Sequence, residues 1–439
     1  MKYDAIVIGA GPGGYATAIR IAQKGKKVLV AEKDRVGGEC LNYGCIPSKA
    51  LIELANSVSY LKDMPGMKIK MDPDFEEWQK WKWSMINKLT GGVETLFKAY
   101  GVELKRGSAT IIDRNHVRIG EEEFQCENLV IATGSVPAAI TSFGDVWYNR
   151  DILDFKKVPE SLLIIGGGYI GIELGTAFGK LGSKVTIVEM MDAILPGVER
   201  ELVTPVERKL KSMGVEIRTS AKVTEVSRNG NYVVKLQDGT EYSAEKVLLT
   251  VGRRPNTEGF GLENLKLEMN GRYIKTDDRK MTSISGVYAV GDVSGEPMLA
   301  HKAYYDADVA ADNICGEERH EEYKAMPFVI YSDPEISYTG SRGEKVAVFP
   351  AAANGRSLGM NNSIGTYRVY YDSSGYITGA GLVAPHSSEM ISEVSLAVEA
   401  GLMAMDIGLT IHPHPTISEG LHEAAESSYG KALHFKSGR

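Results

Sequence analysis

Short apolar runs that end on glycine-rich turns dominate the pattern of this chain. The first, within Ile6–Lys33 (IVIGAGPGGYATAIRIAQKGKKVLVAEK), reads as strand, glycine-rich turn, helix and strand. Leu163–Met190 (LIIGGGYIGIELGTAFGKLGSKVTIVEM) repeats that order. In both, the turn glycines (Gly9, Gly11, Gly14; Gly166, Gly168, Gly171) are followed at matching offsets by a small residue (Ala18; Gly175), a further glycine (Gly25; Gly182) and an acid (Glu32; Glu189). Elsewhere the spacing predicts a helix through Ser48, Leu51 and Leu54, and helical periodicity between Phe75 and Tyr100. A short apolar strand is expected within Thr282–Asp292, ahead of a helix start at Pro297–His301. Trp78, Trp81 and Trp83 share the helical periodicity around them, so they are assigned packing rather than ligand stacking.

The repeated unit has a physical purpose. Its first glycine permits a tight turn, the second lets a pyrophosphate approach the backbone, and the third lets helix pack on strand. The acid closing the second strand accepts hydrogen bonds from an adenosine ribose. One such turn is weak evidence; two in register predict two bound dinucleotides. Electron transfer between two dinucleotides suits FAD with a nicotinamide. Asp292 could hold a flavin ribityl hydroxyl, and read alone it serves equally as a satisfied strand-end carboxylate. Glu189 suits the free 2′-hydroxyl of NAD, and no arginine occurs from Glu189 to Gly197 to receive a 2′-phosphate.

Composition narrows the rest. A chain of 439 residues fits two to four domains, and 43% hydrophobic with 24% charged residues and 48 glycines suits an α/β protein. The net charge of −7, without a long basic run, argues against a nucleic-acid partner. No apolar stretch suits a membrane span, and the start reads directly into a strand, which sets cytoplasm as the expectation. Four cysteines are too few for a disulfide scaffold, and Cys126 and Cys315 read as packing residues. Cys40 and Cys45 form a close pair with too few neighbouring ligands for a metal site.

Two cysteines five residues apart on an ideal helix would sit roughly 140° apart, so bridging them needs a distortion or a helix start between them. Gly44 and Pro47 supply a place for that start. Cys45 then falls near a helix N-terminus, where the dipole favours thiolate over thiol. Near the C-terminus, His412-Pro-His414-Pro-Thr-Ile-Ser-Glu419 offers a histidine beside a carboxylate, the usual general base at neutral pH. Taken alone, histidines between prolines read equally as loop-shaping residues.

These residues together resemble the pyridine nucleotide-disulfide oxidoreductases, most closely the lipoamide-linked members. The resemblance runs nearly end to end, through GGECLNYGCIPSK, LTGGVETLFKAYGVELKRG, Ala132-Thr133-Gly134, GGGYIGIELG, VGRRPN (with Gly252), YAVGDV, MLAHKA (with Ala300), VIYSDPEIS, AANGRS and HPHPTISE. It implies an α/β fold with two Rossmann-like dinucleotide-binding domains and a C-terminal α+β dimerisation domain. The implied division is 1–146 (FAD-binding, first part), 147–273 (NAD-binding), 274–322 (FAD-binding and central, second part) and 323–439 (dimerisation). It assigns Gly9, Gly11, Gly14 and Glu32 to FAD, and Gly166, Gly168, Gly171 and Glu189 to NAD. Asp292 would contact the flavin, with Ala132, Thr133, Gly134, Ala300 and Gly252 also at the cofactors. Cys45 would lie next to the flavin, Cys40 would exchange with substrate, and Lys49 with Glu173 would form an ion pair beside the ring. His414, oriented by Glu419, would be the base, acting in the partner's site of a homodimer.

The resemblance further implies oxidation of protein-bound dihydrolipoamide, with lipoyl domains of 2-oxo acid dehydrogenase complexes or of a glycine cleavage system as partners. Other readings stay open: an NAD(P)H-dependent reductase of another small disulfide, and a non-catalytic flavoprotein scaffold. Mercuric reductase is disfavoured because no vicinal cysteine pair lies near the C-terminus. Two departures stand out. Glu39 sits beside Cys40 where an uncharged residue is expected; the reading adopted is a carboxylate turned to solvent, since one aimed inward would disfavour the Cys40 thiolate. Between Gly340 and Val346, SRGEK joins two strand-like stretches where a helix is expected, so the C-terminal domain is trimmed.

Overall fold

A computed structural model describes residues 2–436; Met1 and 437–439, the outermost positions of the first and last expected domains, lie outside the described residues. The fully apolar inner positions of Lys2–Ile8 and Val28–Glu32 form neighbouring parallel strands, and Glu103–Arg106 and Glu122–Ile131 extend the sheet on either side. Val287–Ala289 returns from far along the sequence to pair in parallel with the end of Glu122–Ile131. Strands buried on both faces read as continuous apolar runs, which is why these segments show little alternation.

The repeat builds a second parallel sheet, ordered Glu216–Arg218, Lys184–Val188, Ser161–Ile165 and Lys246–Leu249. A three-stranded antiparallel sheet (Val223–Asn229, Asn231–Leu236, Glu241–Ala244) accompanies it. A short antiparallel pair, Ser135–Pro137 with Arg253–Pro255, ties the two nucleotide-type halves together. The C-terminal region is a five-stranded antiparallel sheet, ordered Phe328–Ile330, Glu335–Gly340, Ile377–Ala384, Thr366–Tyr371 and Lys345–Pro350, covered by the helices Ser387–Ala400 and Glu419–Ser427. The expected mixed α/β class holds.

Residues 341–344 carry the chain from Glu335–Gly340 to Lys345–Pro350, three positions across that sheet and past two intervening strands. Three strand spacings amount to roughly 14 Å. The segment therefore runs nearly straight beneath the ends of the intervening strands. Ser341 N donates to Thr378 O at 2.8 Å, and a Cβ on Gly343 would stand 2.5 Å from Tyr371 O.

One core cluster crosses all three regions. Leu51, Ile52 and Ala55 of the helix Cys45–Asp63 pack with Ile164 of the second sheet, with Ile172 and Phe178 of the helix Tyr169–Lys180, and with Ile330, Ile336 and Val383 of the C-terminal sheet. Each of the Leu, Ile, Val and Phe side chains contributes about 1.5–3 kcal/mol on burial, so the helix that carries Cys45 is held from both the second and the C-terminal region. Trp78 joins this cluster against Phe155, ring centroids 5.9 Å apart, and Trp83 Nε1 donates to Asp154 at 3.0 Å, whereas Trp81 is exposed. Among the described residues no helix is long and apolar enough to cross a membrane.

Candidate active site

The two glycine turns divide their labour as the spacing demands. Gly9 has φ +100°, and a Cβ there would lie 2.4 Å from Ala132 O; a Cβ on Gly14 would lie 1.9 Å from Gly9 O. At Gly11 the nearest atom stands 3.9 Å away, so this backbone is open to a ligand. The second turn repeats the arrangement, with Gly166 at φ +107°, 2.2 Å between a Gly171 Cβ and Gly166 O, and nothing within 4 Å of Gly168. Glu32 accepts from Ala10 N and Asp34 N, each at 2.7 Å, and Glu189 accepts from Gly167 N at 2.6 Å and Met191 N at 2.8 Å. Each acid is thereby fixed beside its own turn, with its position set by the backbone.

A single cavity of about 800 Å³ extends from the first turn, past Glu32 and Thr133, to Cys40, Cys45, Lys49 and Asp292. Ala132, Gly134 and Ala300 line it too. Ala300 begins the helix Ala300–Ile314, whose N-terminus has no side-chain cap, so its amides face the cavity unpaired by side chains. Thr133 Oγ1 donates to Asn256 O at 2.7 Å and Asn256 N to Gly134 O at 2.9 Å, which locks Ala132–Gly134 to the segment after Gly252. An elongated cavity, an open glycine backbone and an acid at one end fit FAD; the second turn fits the adenosine end of NAD.

The redox pair owes its geometry to Gly44. This residue (φ −127°, ψ −105°) separates a short helix, Gly38–Tyr43, from the long helix Cys45–Asp63. The break swings Cys40 back toward Cys45, and the two thiols are hydrogen-bonded. Gly38, at φ +55°, brings this segment against the first turn, where a Cβ would meet Gly11 Cα at 2.7 Å. Cys45 begins the long helix and is exposed on the cavity wall. The hydrogen bond from Cys40 draws the Cys45 pKa down, burial opposes this, and Lys49 one turn later adds to the lowering. That same hydrogen bond, with burial, pushes the Cys40 thiol up. Both directions favour Cys45 over Cys40 for negative charge.

Burial works against the Lys49 ammonium, and Glu173 outweighs it and raises the pKa. Glu173, whose side chain is only 4% exposed, accepts from Lys49 Nζ at 2.8 Å and from Tyr331 N at 2.9 Å. Lys49 also stands 4.6 Å from the centre of the Tyr331 ring. Burial raises the Asp292 pKa against a hydrogen bond from Ser135.

His414 is placed differently. Its side chain is 79% exposed, and it does not line the cavity of its own chain. Glu419 holds it through Nδ1 at 2.8 Å and also accepts from Thr416 N at 2.8 Å. Burial opposes charge on Glu419, but these hydrogen bonds take its pKa below the usual carboxylate value. Among the described residues the other ring nitrogen has no hydrogen-bond partner.

Glu39 corrects the sequence reading. It does not turn to solvent: Asn149 and Arg150 donate to it and Arg253 approaches it. Burial alone would raise its pKa, and the two arginines with Asn149 bring it below the ordinary value. The partners were missed because Asn149 and Arg150 lie in no motif. Arg253 directly follows Gly252 in VGRRPN, a signal that was in view.

Residues 3–307 match the family described as pyridine nucleotide-disulphide oxidoreductase, and residues 326–425 match that family's dimerisation domain. The chain belongs to this family and is an FAD-dependent oxidoreductase whose cofactors are FAD and NAD. It is 43% identical over 460 aligned positions to the dihydrolipoyl dehydrogenase of Geobacillus stearothermophilus, covering 99% of this chain and 98% of that one. The corresponding enzyme of Haloferax volcanii is 42% identical, covering 98% and 97%. In fold the chain is similar to LpdA of Mycobacterium tuberculosis (TM-score 0.90, 24% identity, 97% and 99% covered). It is also similar to RclA of Escherichia coli, a HOCl-induced flavoprotein disulfide reductase (TM-score 0.88, 27% identity, 97% and 99% covered). The 460 aligned positions exceed the 439 residues of the chain, so the chain carries deletions relative to the Geobacillus enzyme.

Proposed function

We propose that this chain oxidises dihydrolipoyl groups carried on lipoyl domains and reduces NAD⁺, working as a cytoplasmic homodimer through Cys40 and Cys45. The observation that carries this reading is the thiol pair itself, hydrogen-bonded on the wall of a cavity that begins at a dinucleotide turn. Relatives aligned over nearly their whole length that are dihydrolipoyl dehydrogenases support the choice of substrate. On this reading, residues 1–146 with 274–322 hold FAD, 147–273 bind NAD and 323–439 pair the subunits.

In the oxidised enzyme Cys40 and Cys45 share a disulfide. His414 takes the proton of one substrate thiol, and Glu419 holds the imidazolium. The substrate thiolate attacks Cys40 Sγ, the Cys40–Cys45 bond breaks, and the electron pair stays on Cys45 as thiolate. The helix start and Lys49 favour that charge. The second substrate thiol then attacks the sulfur bound to Cys40, closing the lipoyl disulfide; the departing Cys40 thiolate takes the proton held by His414, and the proton of the second thiol passes to His414 in its place. Bound in the cavity, FAD supplies a two-electron acceptor between the thiol pair and NAD⁺. Since His414 lies outside its own cavity, it serves the site of the partner subunit.

Stopped-flow reduction of the flavin-loaded enzyme with dihydrolipoamide, reduced glutathione and NADPH tests the assignment. Dihydrolipoamide is expected to give rapid thiolate-to-flavin charge-transfer absorbance. Faster reduction by NADPH would instead establish a reductase of another small disulfide.

A further inference from the structure

Glu39 stands at one end of a polar chain that crosses the cavity wall. Its Oε1 accepts from Asn149 Nδ2 at 2.7 Å, and its Oε2 from Arg150 Nη2 at 2.8 Å and Nε at 3.2 Å. Arg253 Nη1 lies 3.5 Å from Oε1. On its other side Arg253 donates through Nε to Ser135 Oγ at 2.8 Å and through Nη2 to Ser135 O at 3.0 Å. Ser135 Oγ donates in turn to Asp292 Oδ2 at 2.5 Å. Glu39, Arg253, Ser135 and Asp292 all line the cavity. In the antiparallel pair Ser135–Pro137 with Arg253–Pro255, Arg253 stands opposite Pro137, which makes Ser135 its diagonal neighbour on the same face.

The two arginines differ in what they contribute. Arg150 is 51% exposed, lies over the Tyr43 ring at 3.9 Å and reaches Asp34 at 3.7 Å, so solvent screens its charge. Arg253 is 11% exposed, and among the described contacts Glu39 is its one ion-pair partner. A guanidinium cannot give up its proton. Without Glu39 its charge would act on both ends of the cavity, through a wall that screens it poorly.

We infer that Glu39 is a positioning residue that neutralises Arg253, so that the reactivity of Cys40 is set by the thiol pair and Lys49 rather than by an uncompensated guanidinium. This rests on Cys40 being the exchanging thiol and is independent of which dithiol it meets. The other titratable groups around the pair are Cys45 and Lys49 on the helix Cys45–Asp63, Glu173 behind them, Tyr15 on the helix Pro12–Gln23 and Tyr304 on the helix Ala300–Ile314. Tyr169 faces both Cys45 and Arg253, and Asp292 faces Arg253 beyond Ser135. Tyr15 and Tyr304 share a hydroxyl–hydroxyl hydrogen bond of 2.5 Å. None of them contacts Glu39 or Arg253 by a hydrogen bond or ion pair among the described residues, so they form a constant background for the comparison.

The test is iodoacetamide labelling of the reduced, flavin-loaded enzyme across pH, with the modified peptide identified by mass spectrometry. Glu39→Gln should speed labelling of Cys40 about threefold at neutral pH and shift its pH profile downward. Arg253→Gln, which leaves the carboxylate partly unpaired, should slow labelling and shift the profile upward. The double variant should return close to the parent, as a charge pair requires in a double-mutant cycle. A merely structural role would move both single variants in the same direction, and that result, or unmoved profiles, would overturn the inference. If Glu39→Gln fails to retain flavin, Arg253→Lys decides beside Arg253→Gln: restoring the positive charge should bring the profile back toward the parent, and failure to do so would overturn the inference. Labelling at Cys45 instead of Cys40 would sink the assignment of the exchanging thiol, a separate failure.

Discussion

His412 shows what the same motif does away from chemistry. Two residues before His414, it is buried and points inward: Nε2 meets Glu393 at 3.2 Å and Nδ1 meets Thr410 O at 2.9 Å. The hydrogen bond to Glu393 raises its pKa against the opposing effect of burial. A folded-state pKa above the unfolded value, about 6.5, makes the interaction fully stabilising below that pH and removes the stabilisation as pH rises through the folded value. Thermal unfolding of parent and Glu393→Gln, compared between about pH 5.5 and 8.5, should give a stability gap that is widest at the acid end and narrows upward. A gap that is constant across this range would refute the coupling. At this scale the sequence was legible where residues act through neighbours: His414 with Glu419, and Cys45 with Lys49, sit within a turn or so of each other. It was not legible where a side chain depends on a distant strand, as Glu39 does on Arg253, because nothing local records that approach.

Elements, more than single side chains, make the two nucleotide sites. The third glycine of each turn is the point where helix meets strand, and there a methyl group would collide with a carbonyl oxygen that belongs to the turn itself. Gly14→Ala and Gly171→Ala should therefore separate the two sites. The first is expected to yield protein without bound flavin. The second should retain the flavin spectrum and lose NADH binding at least tenfold, about 1.4 kcal/mol, as measured by fluorescence titration. Loss of flavin from Gly171→Ala alone would reverse the assignment of the turns. Both elements were readable from their glycines, since each spacing answers a local steric demand. The bend at Gly44 was readable only as a requirement; its outcome, a complete break between two helices, depends on Gly38 lying against Gly11 from the first turn.

Across the whole molecule, several of the most exposed apolar side chains lie close in sequence to His414. Leu396 is 66% exposed, Leu409 70% and Ile411 95%, on the helices Ser387–Ala400 and Ala404–Leu409 and the loop that leads to the histidine. Ile411→Asp is expected to change monomer stability by no more than about 0.5 kcal/mol, as an exposed position should, yet to dissociate the dimer and abolish turnover with dihydrolipoamide. Sedimentation velocity alongside steady-state rates checks this; an active monomer would refute a site shared between subunits. Which face pairs is not written in any motif, because exposure is a property of the finished fold.

The segment 341–344 has a consequence for how this chain can vary in length. Five Cα-to-Cα steps reach roughly 17 Å when extended, and four reach about 13–14.5 Å, which leaves no slack over the distance the segment must cover. A deletion there would have to pull a strand out of register, while added residues would cost only a slowly growing closure entropy. Variation at this position is a ratchet: lineages and protein engineers alike can lengthen the crossing, with a tag or a folded insert, and neither can shorten it.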